Sequence, residues 1–120
     1  MNKQNNNYKV LGMMSGTSLD GLDICYVHFY RNKHHWKFEI KNAKTIAYSN
    51  KWRSKLINAP NLNGMELTKL NASYGDYLGN SAKAFCKELK LNPEIIASHG
   101  HTIFHNPSQG YTLQIGNGAN

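Results

Sequence analysis

The junction at residues 10–21 constrains this chain more than any other feature. The apolar run Val10-Leu11-Gly12-Met13-Met14 passes straight into Ser15-Gly16-Thr17-Ser18-Leu19-Asp20-Gly21. An apolar run stopped by turn residues reads as a buried strand. Residues 21–30 then alternate, with Leu22, Ile24, Tyr26, His28 and Tyr30 on one side and Asp23, Cys25, Val27 and Phe29 on the other. Both sides are largely apolar, which predicts a strand that is central or covered on two faces. Two strands joined by so short a link pair antiparallel, because a parallel pair needs a crossover of a dozen or more residues. The turn of this hairpin carries two glycines able to take positive φ, several hydroxyls and a carboxylate. Such a turn presents N–H groups and hydroxyls at a fixed place, as phosphate-holding loops do, and its carboxylate can hold a hydrated cation.

The rest of the chain reads as scaffolding around this turn and a second polar stretch. After a charged turn at residues 31–35, Trp36, Phe38 and Ile40 alternate with Lys37, Glu39 and Lys41. This predicts a third strand with the apolar set inward, broken near Asn42 and resuming over residues 45–48. Residues 51–59 form a short helix candidate, capped by Asn50 and ended by Pro60. In the next helix Asn63 and Glu66 make a capping box, and Leu67, Leu70, Tyr74, Tyr77 or Leu78, Ala82, Phe85 and Leu89 recur at three and four. Gly75 and Gly79 interrupt it at about 1 kcal/mol each against alanine, which predicts close approach by another element. Asn92-Pro93 closes this helix. Residues 95–98 read as a strand, 99–110 as a polar loop, 111–115 as a strand and 116–120 as a glycine-rich stop. The order is β-β-β-α-α-β-β, a mixed sheet carrying helices. Residues 1–7 are asparagine-rich, read as frayed, and lack the apolar stretch of a secretion signal.

With 120 residues, 40% hydrophobic and 18% charged, the chain fits one globular domain. Its net charge of +7 is concentrated: eight basic residues lie between Arg31 and Lys55 against one acid, Glu39. They alternate with apolar residues as on a solvated strand face, and no nucleic-acid-binding signature accompanies them. Cys25 and Cys86 sit apart in apolar patterns and read as buried free thiols, which goes with a reducing cytoplasm. No 18-residue apolar window exists for a membrane span.

Spacing excludes several motifs at the first turn. Gly16 and Gly21 have the separation of a Walker A loop, but Leu22 and Asp23 stand where lysine and serine or threonine are required. The flanks of Ser18 are not those of a nucleophile elbow, and no dinucleotide fingerprint is present. A plain structural hairpin and a phosphate-binding hairpin both remain. In the second stretch His99, His101 and His105 read as a metal-ligand set, as the lining of a polar ligand site, or as ordinary loop histidines. His28, His34 and His35 read as strand and turn surface.

Two segments carry a family resemblance. Residues 12–23, GMMSGTSLDGLD, and residues 98–107, SHGHTIFHNP, followed by YTLQIGNGA at 111–119, resemble the N-terminal part of anhydro-N-acetylmuramic acid kinases. The resemblance implies an α/β, mixed-sheet fold: the first lobe of a ribonuclease H-like, actin-like ATPase, with residues 1–120 forming its N-terminal part. It implies ATP and Mg²⁺ as cofactors, 1,6-anhydro-N-acetylmuramic acid as substrate and cytoplasmic cell-wall recycling; no nucleic-acid or membrane partner is expected from the charge pattern and the missing apolar window. Gly16, Thr17, Ser18, Leu19, Asp20, Gly21, Leu22 and Asp23 would bind the ATP phosphates, with Asp20 the contact to hydrated Mg²⁺. His99, Gly100 and Thr102 would lie on the sugar side. The family usually has His-Gly-Gln-Thr where this chain has His99-Gly100-His101-Thr102. The resemblance places the catalytic aspartate and second lobe beyond residue 120, so a fragment inactive alone is expected. The alternative is a non-catalytic sugar-binding or regulatory module of the same fold. An exposed apolar edge would favour a homodimer.

Overall fold

The computed structural model describes residues 6–119, so the reading of residues 1–7 as frayed lies largely outside the described residues. Five strands, β1 (Asn7–Ser15), β2 (Gly21–Asn32), β3 (His35–Ala47), β4 (Ile95–Asn106) and β5 (Tyr111–Ile115), form one sheet. Its order is β3-β2-β1-β4-β5. Helices α1 (Asn50–Asn58) and α2 (Gly64–Leu89) lie in the connection from β3 to β4. That crossover lets β4 run parallel to β1, whereas β2 and β3 return antiparallel through short turns. The mixed α/β class and the β-β-β-α-α-β-β order are as the sequence predicts, and β2 is an interior strand.

Strand register sorts side chains onto two unlike faces. The pairs Leu11↔Tyr26, Met13↔Ile24 and Ser15↔Leu22 put one set on the same side. There they meet Leu70, Tyr74, Leu78, Ala82 and Phe85 of α2 and Leu56 of α1 in one buried core. The α2 spacing of four, four, four and three keeps these residues on one stripe. Gly12, Met14, Cys25, Ala43, Ala97 and His99 instead line an open trough of about 790 Å³ on the other side. Among the described residues, no helix is long and apolar enough to cross a membrane.

Several local expectations change. β3 runs unbroken, and its register passes from Tyr26↔Asn42 to Val27↔Ile40, leaving Lys41 as an extra residue. This bulge reverses the alternation. Ile46 turns toward the core, while Trp36, Phe38 and Ile40 stand 54%, 64% and 56% exposed. They are not inward, because both helices pack on the opposite face. Ser49, not Asn50, caps α1, its Oγ accepting from Trp52 N–H at 3.2 Å. The capping box of α2 is present: Glu66 N–H donates to Asn63 Oδ1 at 2.9 Å and Asn63 N–H to Glu66 Oε1 at 3.4 Å. Closure of α2 comes before Asn92-Pro93, at Lys90, whose left-handed φ of 55° lets Leu91 N–H reach Cys86 carbonyl at 2.8 Å. Residues 99–106 are not a loop but the continuation of β4, paired with β5. Cys25 and Cys86 are free, and each is half-buried rather than buried.

Candidate functional site

β1 delivers the polar turn. Leu19 N–H donates to Gly16 carbonyl at 3.2 Å, closing a four-residue turn. The positive φ falls on Leu19, at 59°, and not on Gly16 or Gly21 as glycine content predicts. Burial of the Leu19 side chain, worth about 2 kcal/mol, offsets a left-handed cost of roughly 1–2 kcal/mol. Gly21 is required for another reason: a Cβ there would collide with Ile46 carbonyl oxygen. Leu22 is fully buried and Asp23 accepts from Thr45 Oγ1 at 2.6 Å. Asp20 uses its carbonyl to accept from Tyr48 N–H at 3.3 Å, leaving its carboxylate in solvent. Thr17 and Ser18 are exposed, and their amides make no hydrogen bond among the described residues. The turn therefore divides. Leu19, Gly21 and Leu22 shape it; the Thr17 and Ser18 amides and hydroxyls and the Asp20 carboxylate are open to a ligand.

The second stretch reaches the same place through the parallel pairing of β4 with β1. Register shifts from Met13↔Ser98 to Ser15↔His101, with Gly100 at the irregularity. Gly100 has φ 71°, and a Cβ there would strike Ile115 carbonyl oxygen. Its N–H donates to Ser98 Oγ at 3.1 Å. This kink leaves His99 exposed on the trough that Asp23 also lines, and turns His101 inward. The Thr102 hydroxyl accepts from Gln114 Nε2 at 3.3 Å. His105 is exposed and lies 3.4 Å from Thr112 Oγ1. The three histidines do not converge, and among the described residues no group of three His, Cys, Asp or Glu is placed to hold a metal ion. That corrects the metal-ligand reading: regular alternation would put residues 99, 101 and 105 on one face, but the kink at Gly100 and the register shift between Thr102 and Phe104 turn them apart.

The two stretches are joined by a buried polar chain. His101 Nδ1 lies 2.8 Å from Ser15 Oγ. Tyr48 donates its hydroxyl to Ser15 Oγ at 2.7 Å, and the Tyr48 and Tyr74 hydroxyls are 2.6 Å apart. Burial, then the Tyr48 hydrogen bond, pushes the Tyr74 phenol above its ordinary range, so it stays protonated. Burial lowers the His101 pKa and favours neutral imidazole. Sequence reasoning did not single out Ser15, Tyr48 or Tyr74; Tyr74 read as one more apolar position of α2. The available signal was its hydroxyl, which at a core position must find a partner. Asn71 supplies a second anchor, accepting from Gly116 N–H at 2.7 Å on Oδ1 and from Asn117 N–H at 3.2 Å on its carbonyl. Gly75 permits that contact, since a Cβ would sit 2.5 Å from Asn117 carbonyl oxygen. This meets the expectation of close approach at a helix glycine.

Comparison with known proteins bears on the same residues. The family model described as anhydro-N-acetylmuramic acid kinase matches residues 8–120, which include both stretches. The chain belongs to the anhydro-N-acetylmuramic acid kinase family. A curated anhydro-N-acetylmuramic acid kinase of Acaryochloris marina (strain MBIC 11017) is 34% identical over 116 residues, covering 92% of this chain and 31% of the relative. One of Bacillus thuringiensis subsp. konkukian (strain 97-27) is 35% identical over 118 residues, covering 89% and 31%. The chain thus spans about a third of the length of the anhydro-N-acetylmuramic acid kinases it matches. The five-stranded mixed sheet with helices is consistent with the actin-like ATPase fold expected of that family.

Proposed function

We propose that this chain forms the phosphate-gripping and sugar-side part of an ATP-dependent kinase acting on 1,6-anhydro-N-acetylmuramic acid. In that reaction water adds to the anomeric carbon as the C1–O6 anhydro bond breaks, and O6 takes the γ-phosphoryl group of ATP as the bond from Pγ to the bridging oxygen breaks and ADP leaves. The product is N-acetylmuramic acid 6-phosphate, as cell-wall sugar recycling in the cytoplasm requires. Phosphoryl transfer depends mainly on positioning and charge stabilisation. Here the Thr17 and Ser18 amides and hydroxyls donate to the phosphate oxygens from a turn that Leu19, Gly21 and Leu22 hold rigid. A Mg²⁺ ion, when bound, supplies charge neutralisation at the phosphates, and the Asp20 carboxylate is the group on this turn that fits its hydration shell. His99, Gly100 and Thr102 border the sugar. The proton lost by water goes to the aspartate that the family resemblance implies beyond residue 120; His101, buried and engaged with Ser15, does not serve.

The observation that carries this reading is the exposure of Thr17 and Ser18 inside the family-matched turn, with amides that make no hydrogen bond among the described residues. Titration of the ¹⁵N-labelled chain with MgATP tests it. The largest amide shifts are expected at Gly16, Thr17, Ser18 and Leu19, and Asp20→Asn is expected to weaken their Mg²⁺ dependence. No phosphorylation of the anhydro sugar by the chain alone is expected. Shifts concentrated elsewhere would overturn the phosphate assignment, and turnover by the chain alone would overturn the outside base.

A further inference from the structure

Ser15 is the last residue before the polar turn, and His101 lies between Gly100 and Thr102. One buried 2.8 Å contact therefore joins the element that presents phosphate donors to the element assigned to the sugar side. Proton counting gives that contact a direction. Tyr48 has one hydroxyl proton and donates it to Ser15, so across the 2.6 Å contact Tyr74 must be the donor and Tyr48 the acceptor. Ser15, already accepting, has its own proton left, and the group before it is His101 Nδ1. The arrangement with no idle hydroxyl proton is Tyr74 to Tyr48 to Ser15 to Nδ1, with the imidazole neutral and protonated on Nε2. Ser15 and His101 are both 5% exposed and Tyr74 is fully buried, so water offers little substitute.

We propose that Ser15 and His101 are positioning residues that lock the phosphate turn and the residue 99–102 segment into one unit, with α2 and the end of β3 as the fixed support. The role rests on the reading of the turn given above; the lock itself rests on these distances. A consequence is that this side-chain contact, added to the β1–β4 backbone pairing, carries phosphate binding at the turn to the sugar side. Glutamine at position 101 presents an amide oxygen that can accept from Ser15 in the same sense, whereas leucine cannot.

Nitrogen-15 NMR of the full 120-residue chain tests the lock. His101 Nδ1 should resonate as an unprotonated nitrogen and Nε2 as a protonated one; the opposite tautomer, or a charged ring at neutral pH, would overturn the chain of donors. His101→Leu and Ser15→Ala should each speed amide exchange at residues 100–102 by about tenfold, as when a buried hydrogen-bonding group loses its partner. His101→Gln should restore it, and His105→Ala should change nothing there. Titration with MgADP should shift residues 16–18 and 100–102 together in the parent chain, but residues 16–18 alone in His101→Leu. Coupled shifts that survive His101→Leu would overturn the lock and spare the phosphate reading. No shift at either segment, with the tautomer as described, would overturn the phosphate reading and with it the positioning role.

Discussion

The two faces of the sheet are built from alternate residues of the same strands, yet they have little else in common. On the helix side Leu11, Met13, Leu22, Ile24 and Tyr26 are all buried. The polar groups admitted there, Ser15 and His101, are paired with each other, and Ser15 accepts from Tyr48. On the other side Ile40 is 56% exposed, and Met14, 50% exposed, lines a trough with Gly12, Cys25, Ala43 and Ala97. Apolar alternation prepares a strand for burial; on the open face neighbouring strands complete it at Val27, 7% exposed, whereas the packed helices complete it along the whole of the other face. The contrast also separates support from chemistry: the turn is gripped from its closed side by Ser15, while Thr17, Ser18 and Asp20 meet solvent.

The largest test of this contrast is Leu11→Ala. Leu11 is fully buried beneath α2, so truncation should cost about 3 kcal/mol in urea unfolding, with the cost set by the cavity left behind. A loss under about 1 kcal/mol would mean that the helices do not close over this face.

A pair of glycines sharpens it next. At Gly75 an added Cβ would meet Asn117 backbone atoms at 2.5 and 2.8 Å, and backbone cannot swing aside. Gly75→Ala should therefore cost about 1–3 kcal/mol despite alanine's better helix propensity. At Gly12, on the open face, the nearest atom is Cys25 Sγ at 3.4 Å, and Gly12→Ala should stay within about 0.5 kcal/mol of the parent. Equal effects in the two variants would erase the distinction between the faces.

Much of the helix side was legible in the sequence because its signals are local. The capping box at Asn63 and Glu66 and the stripe from Leu70 to Phe85 each follow from spacing within one helix. The polar turn was legible too, since seven consecutive residues define it. The Lys41 bulge was not, because a register shift shows itself only against the partner strand. Nor was the meeting of Ser15 with His101, which depends on the parallel pairing of β1 with β4 across 86 residues. The outward turn of Trp36, Phe38 and Ile40 has the same origin: alternation marks two sides without saying which one the helices will cover.

Acid provides a smaller test. Among the described residues, the titratable groups facing His101 are Tyr74 and, through Ser15, Tyr48. Its folded pKa lies below the ordinary 6.5, so between those two values the unfolded chain binds the extra proton. Stability then rises with pH, and the contribution is complete above about 6.5 and lost as pH falls toward the folded value. His101→Gln should flatten this acid limb while carboxylate effects at lower pH persist. An unchanged limb would mean that the ring is charged, or open to solvent, in the folded chain.

The smallest effect expected is at Ile40, and it probes whether the bare face stays bare. Its side chain is 56% exposed opposite Val27, so Ile40→Ala removes little buried area and should change stability by less than about 0.5 kcal/mol at low protein concentration. The informative control is concentration. If a second copy covers this face, the parent's midpoint rises with concentration by mass action and the Ile40 penalty rises with it. If the face is solvated, both stay constant. Urea midpoints measured for parent and variant at low and high concentration therefore distinguish a bare face from the homodimer that an exposed apolar edge favours.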